Sequence, residues 1–141
     1  MVMKMTMYDM KLDIDSRHIN TTSTKLMVNE LKQHVDVTKM CTNRINETWC
    51  VMIYKTNHGW HVYITSFTNL KAPTPRSIVK MQLMMMSDPN REAHNILRIN
   101  KRIKKWNVLF KSKFKIKTHW WSSKKYLKNE SSEKSLYKIW M

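Results

Sequence analysis

An α+β fold is what this 141-residue sequence predicts: strands and helices in the order β-α-β-β-α-β, helices on one face of the sheet, and a basic C-terminal extension. Three observations carry that reading. Apolar and charged residues alternate with period two near the start, a helical repeat follows, and two β-branched and aromatic runs then flank the single glycine of the chain. The length supports one domain with one core, assigned to residues 1–113, followed by an extension over 114–141.

Tyr8, Met10, Leu12 and Ile14 alternate with Asp9, Lys11, Asp13 and Asp15, which reads as a first strand with its carboxylates on one face. Ser16 to Thr24 is polar and rich in helix-capping residues, after which Leu26, Glu30, Leu31, His34 and Val35 recur at helical spacing. Trp49 to Tyr54 and Trp60 to Phe67 read as the second and third strands, joined by a hairpin at Asn57-His58-Gly59 in which the glycine supplies positive φ. Pro73 and Pro75 break the chain. Ser77 to Met86 is then helical, with Ile78, Met81 and Met85 on one side and the run Met84 to Met86 as adaptable core filler. Asp88 caps the next helix and Pro89 takes its first position, with Ile96, Leu97 and Ile99 as the apolar face. Val108-Leu109-Phe110 forms the closing strand and runs on into alternating lysines. This is the split-βαβ order of ferredoxin-like and RRM-like domains, whose second sheet face stays open.

Charge defines the partner class. Twenty-six Lys and Arg face ten Asp and Glu, a net charge of +16, and the segment from Arg98 to Met141 holds only Glu130 and Glu133 as acids. Each cation that neutralises a phosphate releases a counterion, so an excess of this kind attracts DNA or RNA whatever its sequence. Trp106, Phe110, Phe114, Trp120, Trp121, Tyr126, Tyr137 and Trp140 are interleaved with the lysines, and each ring stacked on a base contributes about 1–3 kcal/mol. The expected nucleic-acid contacts are Lys111, Lys113, Lys115, Lys117, Trp120, Trp121, Lys124 and Lys125. A membrane partner is not expected, because apolar residues in this segment come singly and no run is long enough to span a bilayer. Cys41 and Cys50 are too few for a disulfide framework and no leading segment resembles a signal peptide. An intracellular, cytoplasmic protein is expected, in the host cytoplasm if it is viral. Ser122 to Ser135 is polar enough for a flexible arm, Cys41 and Cys50 read as buried thiols, and neither a P-loop nor a Gly-x-Ser-x-Gly elbow is present.

Asp13 and Asp15 lie on one strand face with Cα atoms about 7 Å apart, near enough for both carboxylates to reach a hard cation. If Trp60, Val62 and Ile64 enter the core, His61 shares that open face. Plain readings stand beside these. Exposed carboxylates keep an edge strand soluble, a strand histidine is ordinarily just hydrogen-bonded, and Arg91 suits a surface ion pair with Glu92 as well as a phosphate clamp.

Leu12-Asp13-Ile14-Asp15 and Thr56-Asn57-His58-Gly59-Trp60-His61-Val62-Tyr63-Ile64 resemble two motifs of the archaeo-eukaryotic primase and polymerase superfamily, including its short viral and plasmid members. Ser87-Asp88-Pro89-Asn90-Arg91-Glu92, with Leu97-Arg98 and Asn107-Val108-Leu109-Phe110, resembles a further segment, so that the likeness spans about Tyr8 to Lys113. The resemblance implies a replication role, Mg²⁺ or Mn²⁺ on Asp13 and Asp15, and a catalytic site completed by His61. It also implies nucleoside triphosphate held through His61, Arg91 and Arg98. Polymerases of that family use a third carboxylate on a downstream strand, and after Glu92 the next acids here are Glu130 and Glu133. Two carboxylates are a poor basis for a two-metal clamp. The expectation is therefore a nucleic-acid-binding protein of primase-polymerase type, catalytically reduced unless a partner subunit supplies the missing acid. The alternative is a non-enzymatic basic DNA- or RNA-binding accessory protein of a virus, plasmid or organelle. A rolling-circle endonuclease fits less well, since His58-Gly-Trp-His61 has the wrong spacing for its paired metal histidines.

Overall fold

The period-two segment forms strand β1, Thr6–Asp15, and the elements that follow are α1 Thr24–Cys41, β2 Thr48–Lys55, β3 Gly59–Thr68, α2 Pro75–Met84 and α3 Pro89–Asn100, then β4 Ser112–Thr118, β5 Lys125–Ser131 and β6 Lys134–Trp140. The structure, a computed structural model, describes residues 5–109, 112–118, 125–131 and 134–141. A four-stranded antiparallel sheet has the order β1-β3-β2-β6, and β4 pairs with β5 in a separate two-stranded sheet. Because β1 and β2 both run antiparallel to β3, they are parallel to each other with β3 between them, so β1-α1-β2 is a split βαβ unit. The described residues are thus α+β with three helices, compatible with a small ferredoxin-like fold.

One sheet face makes the core. Met10, Leu12 and Ile14 stand opposite Ile64, Val62 and Trp60, and Val51 and Ile53 stand opposite Ile64 and Val62. Onto them pack Met27, Val28, Leu31 and Val35 of α1 with Ile78 and Met81 of α2 and the adjoining Met85. Full burial of each large apolar side chain contributes about 1.5–3 kcal/mol. The helices start where capping chemistry allows: Ser23, Thr74 and Asp88 accept hydrogen bonds from Leu26, Ser77 and Asn90 backbone N–H groups. They end on Asn43, Met86 and Arg102 in the left-handed region, with φ of 57°, 71° and 58°. The position just past a helix usually takes glycine, and this chain has spent its one glycine elsewhere.

Four expectations are corrected. Gly59 does not adopt positive φ; a Cβ there would lie 1.9 Å from the Ile14 carbonyl oxygen, so close approach of β1 explains the residue. Helix α3 buries Glu92 and Asn95, and of the expected apolar face it leaves Leu97 exposed and Ile96 and Ile99 only half-buried. Cys50 is buried but Cys41 is exposed, and both are free thiols.

The fourth correction concerns the closing strand. Val108 and Leu109 have no regular structure, Phe110 lies outside the described residues, and the fourth strand of the main sheet is β6 on the far edge, beside β2. The edge of β1 is already taken. Gln82 Oε1 accepts from Lys11 N at 2.9 Å and Ser87 Oγ accepts from Asp13 N at 3.1 Å. The Lys11 carbonyl accepts from Arg91 Nη1, and the Asp13 carbonyl from the Asp88 backbone N–H, each at 2.7 Å. A partner strand would need these same groups. The last strand of the expected extension is therefore a member of the main sheet.

Candidate functional site

The register that puts Leu12 and Val62 into the core puts Asp13 opposite His61 on the other face, with Asp15 opposite Gly59 and Tyr54 opposite His61. A cleft of about 380 Å³ opens at this end of the sheet. Asp13, Asp15 and His61 line it together with the turn residues Thr56, Asn57 and His58 and with Asp88, Asn90, Arg91, His94 and Arg98 from the start and face of α3. The backbone bond from Asp88 to Asp13 is what brings that helix to the cleft.

The two aspartates differ. Asp13 is half-buried, its Oδ1 3.7 Å from His61 Nε2. Burial pushes its carboxyl above the usual range, an effect opposed by His61 and Arg91 and reinforced by Asp88 and Asp15. Asp15 lies under Arg17, whose Nε and Nη2 donate to its two oxygens at 3.2 and 2.9 Å while the Arg17 backbone N–H donates to Oδ1 at 2.8 Å. The Arg17 side chain holds the Asp15 carboxyl down at about 2. His61 is 7% exposed, so only its rim reaches the cleft.

Arg91 is occupied by protein acceptors. Its guanidinium donates to the Lys11 and Val108 carbonyls, to Asn107 Oδ1 at 2.6 Å and to Glu92 Oε1 at 3.0 Å. The ion pair with Glu92, expected at the surface, is buried. Burial lowers the Arg91 pKa against the pull of Glu92 and Asp13, and burial raises that of Glu92 against Arg91, Asn95 and Gln82. A buried pair of this kind fixes geometry. Arg98 is half-buried, donates from Nη1 to Asn95 Oδ1 at 3.0 Å and lines the cleft. His94 donates from Nδ1 to the Asn90 carbonyl at 2.8 Å.

Sequence reasoning missed Arg17, His94 and the role of Asp88. Asp88 was legible only as a cap, which it is, yet it is also a third carboxylate at the cleft. Arg17 could have been suspected from its place two residues beyond Asp15. Among the described residues no three His, Cys, Asp or Glu are grouped to hold a metal ion. Both oxygens of Asp15 accept from the exposed Arg17 and Asp13 is half-buried beside His61, so Mg²⁺ or Mn²⁺ would reach both carboxylates only by displacing Arg17.

Of the expected nucleic-acid contacts, Lys113, Lys115 and Lys117 lie in β4 and Lys125 in β5, with Lys115 paired across from Lys128 and Lys113 from Glu130. Lys111, Trp120, Trp121 and Lys124 lie outside the described residues. Among the described residues no helix is long and apolar enough to cross a membrane. No protein family, curated protein or solved structure matches this chain.

Proposed function

We propose that this chain is a nucleic-acid-binding protein of primase-polymerase type in catalytically reduced form, built on a ferredoxin-like, RRM-like frame. The cleft receives the phosphates of a nucleotide or of a strand end, and the basic C-terminal segment follows the backbone of DNA or RNA. One observation carries the reading: Asp13, Asp15, His61, Arg91 and Arg98, taken from three separate stretches of sequence, line a single cleft. Its lining holds Arg17 and Arg98, whose guanidinium groups a phosphate can accept from, while Arg91 holds α3 against β1. Arg17 is 80% exposed and so exchanges Asp15 for phosphate at little cost. Binding and orientation are the chemistry these side chains support, and no transfer step is assigned to them.

The alternative, a basic accessory protein with no nucleotide site, is favoured by the Asp15–Arg17 pairing, which neutralises half of the Asp-x-Asp pair. Binding of a nucleoside triphosphate and of a short single strand, each with Mn²⁺ or with chelator, separates these readings. The proposed form retains triphosphate binding in chelator and loses about tenfold in Arg98→Ala, the worth of one charge-assisted bond. Triphosphate binding that requires Mn²⁺ and disappears in Asp13→Ala/Asp15→Ala would restore the full metal site. Strand binding without any triphosphate binding would leave the accessory protein.

A further inference from the structure

We infer that the open sheet face beyond the cleft is a stacking platform for the unpaired bases of a single strand, running from Tyr54 and Tyr63 to Phe67 and Trp140. The inference rests on the nucleic-acid reading above for its partner and adds the surface and the strandedness.

The face opposite the core carries large rings that are half-buried or exposed. Tyr54 and Tyr63 meet edge to face with centroids 5.3 Å apart, and Phe67 and Trp140 lie tilted at 33° with centroids 6.4 Å apart. Tyr54, Tyr63 and Phe67 are half-buried, while Trp140 is 59% exposed at the edge on β6. Lys138 holds its Nζ 6.0 Å from the Trp140 ring, on the row that also carries Met52 and Tyr63. Successive rows of same-face residues repeat every two residues, about 7 Å. That stride is close to one extended nucleotide, and the first row starts at the cleft with Tyr54, His61 and Asp13. A strand whose terminal phosphate sits in the cleft would lay its following bases onto the rings in order.

Charge selects the occupant. A second copy of a chain with net charge +16 would bring like charge against like. A duplex is a polyanion but hides its base faces in the stack. An acidic peptide offers charge without a series of flat faces. Single-stranded DNA or RNA offers both, and base–aromatic stacking tolerates any sequence.

The test is fluorescence anisotropy of a labelled twelve-nucleotide oligothymidylate and of a duplex of equal length on the full chain, at several salt concentrations. The variants are Trp140→Leu, which keeps apolar bulk but no flat face, Trp140→Phe, which keeps a ring, and Lys138→Ala. Unfolding midpoints equal to wild type certify the fold of each. Trp140→Leu is expected to weaken single-strand binding about fivefold to a hundredfold, with the salt slope and the duplex affinity unchanged and with Trp140→Phe restoring most of the loss. Lys138→Ala should lower the salt slope by about 0.7. Single-strand affinity unchanged in Trp140→Leu, or single-strand and duplex affinity falling together, overturns the platform while nucleic-acid binding stands. A wild-type chain that binds neither oligonucleotide overturns both readings and points to a protein partner on this face.

Discussion

At Asp13, burial and neighbouring charge pull in opposite directions, and burial wins. Its carboxyl is raised in the folded chain although His61 and Arg91 favour the anion. A raised carboxyl binds its proton more tightly when folded than when unfolded, so its contribution to stability is complete below the ordinary value of 3.8 and is lost as pH rises through the folded one. At neutral pH the Asp13 charge therefore costs stability. Asp13→Asn, alike in shape and without the charge, is expected to unfold at higher urea than wild type at pH 7, with the difference vanishing near pH 3. Equal midpoints at pH 7 would show that the site bears the charge without cost. Asp15 works the other way: held at about 2 by Arg17, it stabilises above 3.8 and loses that contribution as pH falls toward 2. Period two was enough to place both carboxylates on one face. Their opposite behaviour was not legible, because it depends on a docked helix for Asp13 and on the reach of one exposed arginine for Asp15.

Helix α3 and the edge of β1 show why local patterns fail at one place in this fold. The first strand, the first helix and the hairpin could be read because each turns apolar residues to the core at its own period. Helix α3 instead packs on hydrogen bonds: Gln82 Nε2 donates to Glu92, Asn95 Nδ2 donates to Glu92 Oε1 at 2.8 Å, and Asn107 Nδ2 donates to Gln82 Oε1 at 2.8 Å. A helix whose buried residues are Glu92 and Asn95 looks exposed to a hydropathy pattern. The same network blocks β1 against edge pairing, a service otherwise supplied by charges or bulges. Gln82 is its centre, fully buried and bonded to Lys11, Glu92 and Asn107. Gln82→Ala orphans the Lys11 N–H, the Asn107 amide and part of the Glu92 carboxylate, at about 1–3 kcal/mol for each buried group left unmade. A loss of about 3 kcal/mol or more in urea unfolding is expected. A loss under about 1 kcal/mol would mean that water replaces the side chain and that the edge is not sealed by it.

Across the whole molecule, the sheet is completed by the far end of the chain. Strand β6 joins β2 with Ile139 opposite Val51, and Met141 and Trp49 exchange backbone hydrogen bonds at 3.0 and 2.8 Å. Beneath them Lys39 donates from Nζ to the Glu47 and Met141 carbonyls, each at 2.9 Å, and its Nζ lies 5.0 Å from the centroid of the Trp49 ring. Burial lowers the Lys39 pKa. For Glu47 burial acts to raise the pKa, but hydrogen bonds from Tyr8, Trp49, Thr68 and Arg44 outweigh it and hold the carboxyl low. None of this pairing was legible, because a strand partner roughly eighty residues away leaves no periodic trace in either segment and a lysine-rich end reads as solvated. The consequence reaches function: removing the C-terminal residues deletes cations and a sheet strand at once, so a truncation that abolishes binding does not isolate the charge. Deleting 134–141 is expected to cost at least about 3 kcal/mol, since the three bonds to Met141 alone count for roughly 1 kcal/mol each and the β2–β6 ladder is lost with them. It also bares the β2 edge from Cys50 to Lys55, an unpaired row that templates further strands. Sedimentation should then show concentration-dependent self-association beside the lowered urea midpoint. A truncated chain that stays monomeric with the wild-type midpoint would mean that β6 adds charge to this protein and nothing to its fold.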